Sequence, residues 1–220
     1  LAALGGGALV ARQTLTNAAE KGPSGLLSGN ACVLTPEAVE GPFYFDPHLV
    51  RADITDGKQG APLELTLQLV EAKDCAKIGQ ARVDVWHADG HGAYSGYARQ
   101  ETGSTKGETF LRGTQFTDAA GQVSFATIYP GWYPGRTPHI HFKVFLAAGS
   151  VLTGQLYFDD ALTDRIYASA APYRERKELR DTTNETDFIF ADQGGPDTLC
   201  SVTEEGGSYR TSLVVGVNRA

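Results

Sequence analysis

Between Tyr129 and Phe142 the chain reads YPGWYPGRTPHIHF, bringing Tyr133, Arg136, His139 and His141 into one short stretch. Successive side chains of a strand point to opposite faces, so His139 and His141 share one face while Ile140, Phe142 and Val144 take the other. Pro130-Gly131 and Pro134-Gly135 force turns upstream and leave Tyr133 and Arg136 on a loop that can fold back on the imidazoles. An H-x-H strand is a metal-ligand spacing that suits zinc, copper, iron or nickel, and the remaining ligands decide among them. Taken alone, it is equally the pattern of two hydrogen-bonded histidines near a sheet edge.

His48, His87 and His91 precede the pair and no histidine follows His141, which argues against a cupin-type site. A two-histidine, one-carboxylate iron(II) site and a zinc hydrolase using the same pair both stay open, although no acid is placed distinctively. Tyrosine is the better candidate. Tyr133 lies three residues before Arg136, and Tyr94 lies in the run VDVWHADGHGAYSGY. A phenol, with a reference pKa of ~10, needs a strong cation to ionise at neutral pH, and Fe(III) meets that need.

The elements that must position these residues read as strands. Leu63 to Val70 alternates as LELTLQLV, a half-buried strand. Further strands are expected at Ala81 to His87, Thr109 to Thr117, Gln122 to Ile128, His139 to Leu146, Gln155 to Phe158 and Ser208 to Val217. Short helices are expected at Ala161 to Ala170 and Arg174 to Thr182. Ala88 to Gly107 is a loop of a length that often carries function. Many short strands with turn-rich links predict an all-β fold, a β-sandwich with long active-site loops and a few short helices.

The chain has 220 residues, 26 glycines, 10 prolines and a formal net charge of -7. That length suits one domain, here residues 31–220, and the acid excess argues against a nucleic-acid partner. Residues 1–30 read as an N-terminal arm. Leu1 to Ala11 (LAALGGGALVA) has the apolar, small-residue character of the end of an export signal, or of a flexible arm, and is too short and glycine-rich to span a bilayer. With no methionine even at position 1, the chain reads as starting inside a longer precursor. Of the three cysteines, Cys32 and Cys75 are the expected disulfide, and the localisation expected is secreted or periplasmic. Asn184-Glu185-Thr186 fits a glycosylation sequon but reads by default as a solvated loop. His87 and His91 read as loop-positioning or solvent-facing, and Trp86 and Trp132 as core or pocket-wall aromatics.

Taken together, Tyr94, Tyr133, His139 and His141, with Arg136 in RTPHIH, resemble the intradiol ring-cleavage dioxygenases. TPEAVEGPFY, VDVWHADGHGAY, TDAAGQVSFATIYPGWY and TGQLYFDD carry the likeness from about Thr35 to Asp160. The resemblance implies a non-haem Fe(III) held by Tyr94, Tyr133, His139 and His141, with Tyr133 leaving the metal when a catechol-type diol binds. It implies that Arg136 stabilises negative charge on the substrate, that Gln155 steadies the site, and that Val39 and Pro42 line the ring pocket. Dioxygen is the co-substrate and a cis,cis-muconate-type diacid the product. The long helical N-terminal domain of the catechol 1,2-dioxygenases is missing, so their dimerisation mode does not transfer, although a homodimer remains open. The rival from another class is a non-catalytic β-sandwich module that binds plant polymers through surface tyrosines and Arg136.

Overall fold

In the computed structural model, which describes residues 32–147 and 149–219, the leucines of LELTLQLV behave as their alternation predicts. Leu63, Leu65, Leu67 and Leu69 are at most 2% exposed, and they anchor strand β1 (Pro62–Glu71) to the core. Each such side chain contributes roughly 2 kcal/mol on leaving water. Strand β1 pairs antiparallel with β4 (Gln122–Ile128) and parallel with β9 (Ser208–Val217), and β8 (Val202–Glu205) completes a sheet of order β4-β1-β9-β8.

The second sheet holds β2 (Arg82–Trp86), β3 (Arg112–Phe116), β5 (His139–Leu146), β6 (Gly149–Phe158) and β7 (Leu199–Cys200), in the order β3-β2-β5-β6-β7. Val83, Val85, Ile140, Phe142, Val144, Leu152 and Leu156 face the first sheet and fill the core between the two. The fold is thus an all-β sandwich. Helix α1 (Asp160–Ser169), capped by the Asp159 side chain on Leu162 N, and a five-residue helix α2 (Phe188–Asp192) are its only α-helices among the described residues.

The outer face of the second sheet is not left to water. Irregular chain from residues 35–45, 88–111 and 183–187, together with the start of α2, lies over it, so β5 is buried on both faces at its start. Pairing register aligns the consequence: Arg112 opposes Trp86, Trp86 opposes His141, and His141 opposes Gln155. These four residues form one row across four strands on that covered face.

Several expected bounds differ. Strand β3 starts at Arg112 rather than Thr109, because Leu111 takes a left-handed backbone (φ 55°) that ends any ladder. Strand β6 starts at Gly149, well before Gln155. Arg174 to Thr182 is not a helix: only Tyr173–Glu175 forms a single 3-10 turn. That segment has no apolar stripe to bury, with Leu179 89% exposed, and tertiary contacts claim its arginines. Arg176 donates to Trp132 O (2.7 Å), and Arg180 bonds Asp160 and Asp164.

Cys32 and Cys75, 43 positions apart in sequence, form the expected disulfide, with Cα atoms 5.3 Å apart, while Cys200 is free and buried. In the chain-entropy account a loop of that size stabilises the fold by about 4 kcal/mol. The expected N-terminal arm, residues 1–30, lies outside the described residues. Asn184, the sequon asparagine, is only 9% exposed; its amide donates to Phe158 O (2.8 Å) and its carbonyl accepts from Thr137 Oγ1 (2.8 Å). Its role is structural.

Candidate metal centre

His139 and His141 project from β5 onto the covered face, and two loops carry tyrosines over them. His139 Nε2 lies 3.1 Å from His141 Nε2, 3.1 Å from Tyr133 Oη and 3.4 Å from Tyr94 Oη. The two loops meet through their backbones. Gly131 N donates to Asp89 O (3.2 Å), and any Cβ at Gly131 would collide with the Asp89 and Gly90 carbonyls. Gly92 likewise sits against Trp132 O, so these two glycines permit the approach that sets one tyrosine beside the other.

The tautomer of His139 follows from its neighbour. Thr137 O can only accept, so Nδ1 at 2.7 Å carries the proton and Nε2 presents a lone pair to the other donors. Burial, with the nearby Arg136 guanidinium next in weight, holds both imidazoles well below the usual histidine range and therefore neutral. Trp86 stacks on His141 with ring centroids 4.8 Å apart and planes 9° apart. His141 Nδ1 is buried without a hydrogen-bond partner. Burial also raises both phenols, Tyr94 well above its usual value with Tyr133 adding to the rise, and Tyr133 less because Arg136 opposes the effect.

Two neutral imidazole lone pairs and two phenol oxygens thus converge with no charge of their own to satisfy them. The three separations from His139 Nε2, 3.1–3.4 Å, are in the range spanned by donors that share one ion at about 2 Å. The set fits a hard, highly charged cation that ionises phenols. No cluster of three or more His, Cys, Asp or Glu suited to a metal occurs among the described residues, so a carboxylate-completed zinc site lacks its third ligand.

Arg136, 9% exposed, lies beside this set. Its Nη1 is 3.4 Å from both Tyr133 Oη and His139 Nε2, and its Nη2 donates to Gln155 Oε1 at 2.5 Å. Gln155 Nε2 in turn donates to Val39 O (2.8 Å). Gln155 therefore turns its polar atoms to protein partners and acts by fixing Arg136. Val39 (43% exposed) and the exposed Pro42 belong to the segment that crosses the mouth, where Gly41 lies over His141. Phe43 of that segment stacks on Tyr94 (4.4 Å, 12°) and meets Tyr133 edge-on.

Sequence reasoning missed Phe43, Arg112, Tyr157 and Asp187. Phe43 sat unremarked in the VEGPF run; Asp187 gave no local signal, since its partner Arg136 lies 51 positions away. The solvent-facing alternative for His87 is wrong: it is 1% exposed, bonds Thr127 Oγ1 (2.7 Å) and Ala88 O (2.8 Å), and burial pushes its pKa down to about 4. His91 is exposed. Nor are Tyr94 and Arg136 surface recognition residues, since both are buried.

The Dioxygenase family model (Dioxygenase_C) matches residues 39–186, which includes all four converging donors. The chain belongs to the intradiol ring-cleavage dioxygenases. Among solved structures of this family, an intradiol ring-cleavage dioxygenase from Tetranychus urticae is 34% identical with a TM-score of 0.78, covering 85% of this chain and 95% of its own. The dioxygenase domain of a dioxygenase–carbohydrate-binding protein fusion from the cellulolytic bacterium Streptomyces sp. SirexAA-E is 30% identical with a TM-score of 0.63, covering 85% and 99%. The chlorocatechol 1,2-dioxygenase of Cupriavidus pinatubonensis is 29% identical over 58% of this chain and 56% of its own length. The chain thus spans little more than half the length of the curated relatives it matches.

Proposed function

We propose that this intradiol-family protein uses non-haem Fe(III) and O2 to cleave the ring of catechol-type diols between the two hydroxylated carbons, giving cis,cis-muconate-type diacids. Both oxygen atoms enter the product, so diol plus O2 balances the diacid with no external reductant. The carrying observation is that His141 Nε2, Tyr133 Oη and Tyr94 Oη all lie 3.1–3.4 Å from His139 Nε2, with no carboxylate among them.

In this reading those four residues hold the iron, which when bound supplies the positive charge that ionises phenols and activates the diol toward oxygen. Tyr133, half-buried on its turn, is the tyrosine able to swing away, and its Oη takes up a proton from a substrate hydroxyl. Arg136 Nη1 faces the same space and stabilises negative charge building on the substrate ring. Phe43 and the 39–43 segment exclude water from above, with Val39 and Pro42 placed at the rim. The Cys32–Cys75 disulfide supports work in an oxidising compartment, secreted or periplasmic. Among the described residues no helix is long and apolar enough to cross a membrane.

The test is direct. Purified protein loaded with iron is expected to be red to brown from tyrosinate bound to Fe(III), and to convert catechol and O2 to the muconate-type diacid. Colourless iron-loaded protein, or extradiol products from every diol offered, overturns the reading.

A further inference from the structure

The search for groups outside the four donors leads to Asp187. Its side chain is 0% exposed, yet no role follows from the donor set alone. One carboxylate oxygen accepts from Arg136 Nε (2.9 Å) and from Thr137 N (2.9 Å). The other accepts from Ile189 N (2.9 Å) and Phe190 N (3.2 Å), the first free amides of α2. Four donors therefore hold this carboxylate on opposite sides, and it cannot turn without losing one of them.

The consequence is read on Arg136. A planar guanidinium fixed at Nε by Asp187 and at Nη2 by Gln155 Oε1 has no rotational freedom left. Tyr157 Oη strengthens the second hold, donating to Gln155 Oε1 (2.9 Å) while lying 3.4 Å from Nη2. Nη1 alone is left to face Tyr133 and His139. Thr137 N, bonded by the same carboxylate oxygen, ties the backbone that enters β5 to the same anchor.

We infer that Asp187 is the positioning residue of the reaction: it aims Arg136 Nη1 at the space where the ring bears negative charge, and acts on turnover only through Arg136. This deepens the proposed dioxygenase reading and rests on it. Asp187 is the N-cap of α2 and lies 51 positions beyond Arg136, far along the chain from the stretch that carries the histidines.

The experiment uses the iron-loaded protein and the variants Asp187→Asn, Arg136→Gln and the double variant. Asp187→Asn is expected to lower kcat about 10- to 100-fold, with KM, iron content and tyrosinate absorption unchanged. In the Arg136→Gln background the same change is expected to cost nothing further, because the group it acts through is gone. In metal-free protein the Arg136 Nε–H resonance, slow to exchange in the parent, is expected to exchange fast in Asp187→Asn. An Asp187 needed only to cap α2 would lower kcat equally in both backgrounds, and that result, or wild-type kcat in Asp187→Asn, overturns the proposal. Should Asp187→Asn fail to fold, Asp187→Glu keeps the charge while displacing the carboxylate by one methylene; the same loss supports the proposal and an unchanged kcat sinks it. A parent protein without intradiol product overturns the dioxygenase reading instead, while the Nε–H exchange still tests the link between Asp187 and Arg136.

Discussion

Tyr94 and Tyr133 reach His139 Nε2 from 3.4 and 3.1 Å, but the backbones beneath them are secured by different means. Tyr94 is 1% exposed and clamped on three sides: its N–H donates to Gln100 Oε1 (2.7 Å), while its carbonyl accepts from Gln100 Nε2 (2.7 Å) and Thr105 Oγ1 (2.6 Å). The next residue, Ser95, takes Arg112 Nε on its hydroxyl (2.8 Å) and Arg112 Nη2 on its carbonyl (3.0 Å). The turn that carries Tyr133 is pinned at its start, where Arg176 Nη1 donates to Trp132 O (2.7 Å), and has weaker bonds beyond it. Arg136 N donates to Tyr133 O (3.2 Å), and Gly135 N reaches the exposed Asp181 carboxylate at 3.2–3.3 Å. Gly135 holds φ 79°, a conformation a glycine adopts without strain. The lesson is that similar donors need not be held alike, and the proposed roles, Tyr94 staying on the metal and Tyr133 leaving it, follow that difference.

The largest effect is expected where that difference is cut at the donors. Tyr94→Phe removes a fixed donor, and since changes to groups merely behind a ligand cost about 10- to 100-fold in metal affinity, loss of the donor itself should cost ~100-fold or more. Tyr133→Phe removes the donor proposed to leave, so iron should be retained far better while turnover falls about 100-fold or more for want of a proton acceptor. Iron content after dialysis against a chelator, measured beside oxygen uptake, checks both. If Tyr133→Phe loses more iron than Tyr94→Phe, the comparison is inverted.

Arg112 gives a sharper cut, because it touches neither imidazole. Its guanidinium is 1% exposed and, among the described residues, has no carboxylate partner and no bond at Nη1; burial pushes its pKa down to about 10. It lies instead over the ring of Phe45, 4.2 Å from the centroid. Burying that charge disfavours the fold, whereas Arg112→Met leaves Ser95 O unpaired at a cost of about 1–3 kcal/mol and removes the contact with Phe45. The two terms offset each other, so the melting temperature should move little. Tyr94 loses its hold all the same, and iron affinity is expected to fall about 10- to 100-fold. An unchanged affinity would show that Gln100 and Thr105 suffice and that Arg112 has another purpose.

How much of this was legible depended on distance along the chain. The alternation of β1 and the inward Ile140, Phe142 and Val144 of β5 are local patterns, and both were read correctly. The alternating faces of β5 put His139 and His141 together, and the Pro-Gly breaks around Tyr133 marked its turn. The row Arg112–Trp86–His141–Gln155 was not legible, because strand register emerges only from pairing. Arg174 to Thr182 misled in the opposite way. Its charges suit a helix, but with no apolar face to bury, contacts to Trp132, Asp160 and Asp164 decided its path.

The smallest effect is expected at the one side chain, among the described residues, bonded to Gly135 at the tip of the Tyr133 turn. Asp181 is exposed, and its bonds to Gly135 N are long, so Asp181→Ala should cost under about 1 kcal/mol. Thr182 Oγ1, buried itself, donates to the same carboxylate (2.8 Å) and would lose that partner too. Tyr133 would keep its place because Pro134 restricts the turn from within and Arg136 Nη1 still reaches its oxygen. Iron retention is expected to stay as in the parent, with kcat within about threefold, since a looser turn eases departure of Tyr133 as much as it delays its return. A loss of iron as large as that from Arg112→Met would mean that the turn is held as firmly as the Tyr94 loop, and the contrast between the two tyrosines would have to be sought in the rings rather than in the backbone beneath them.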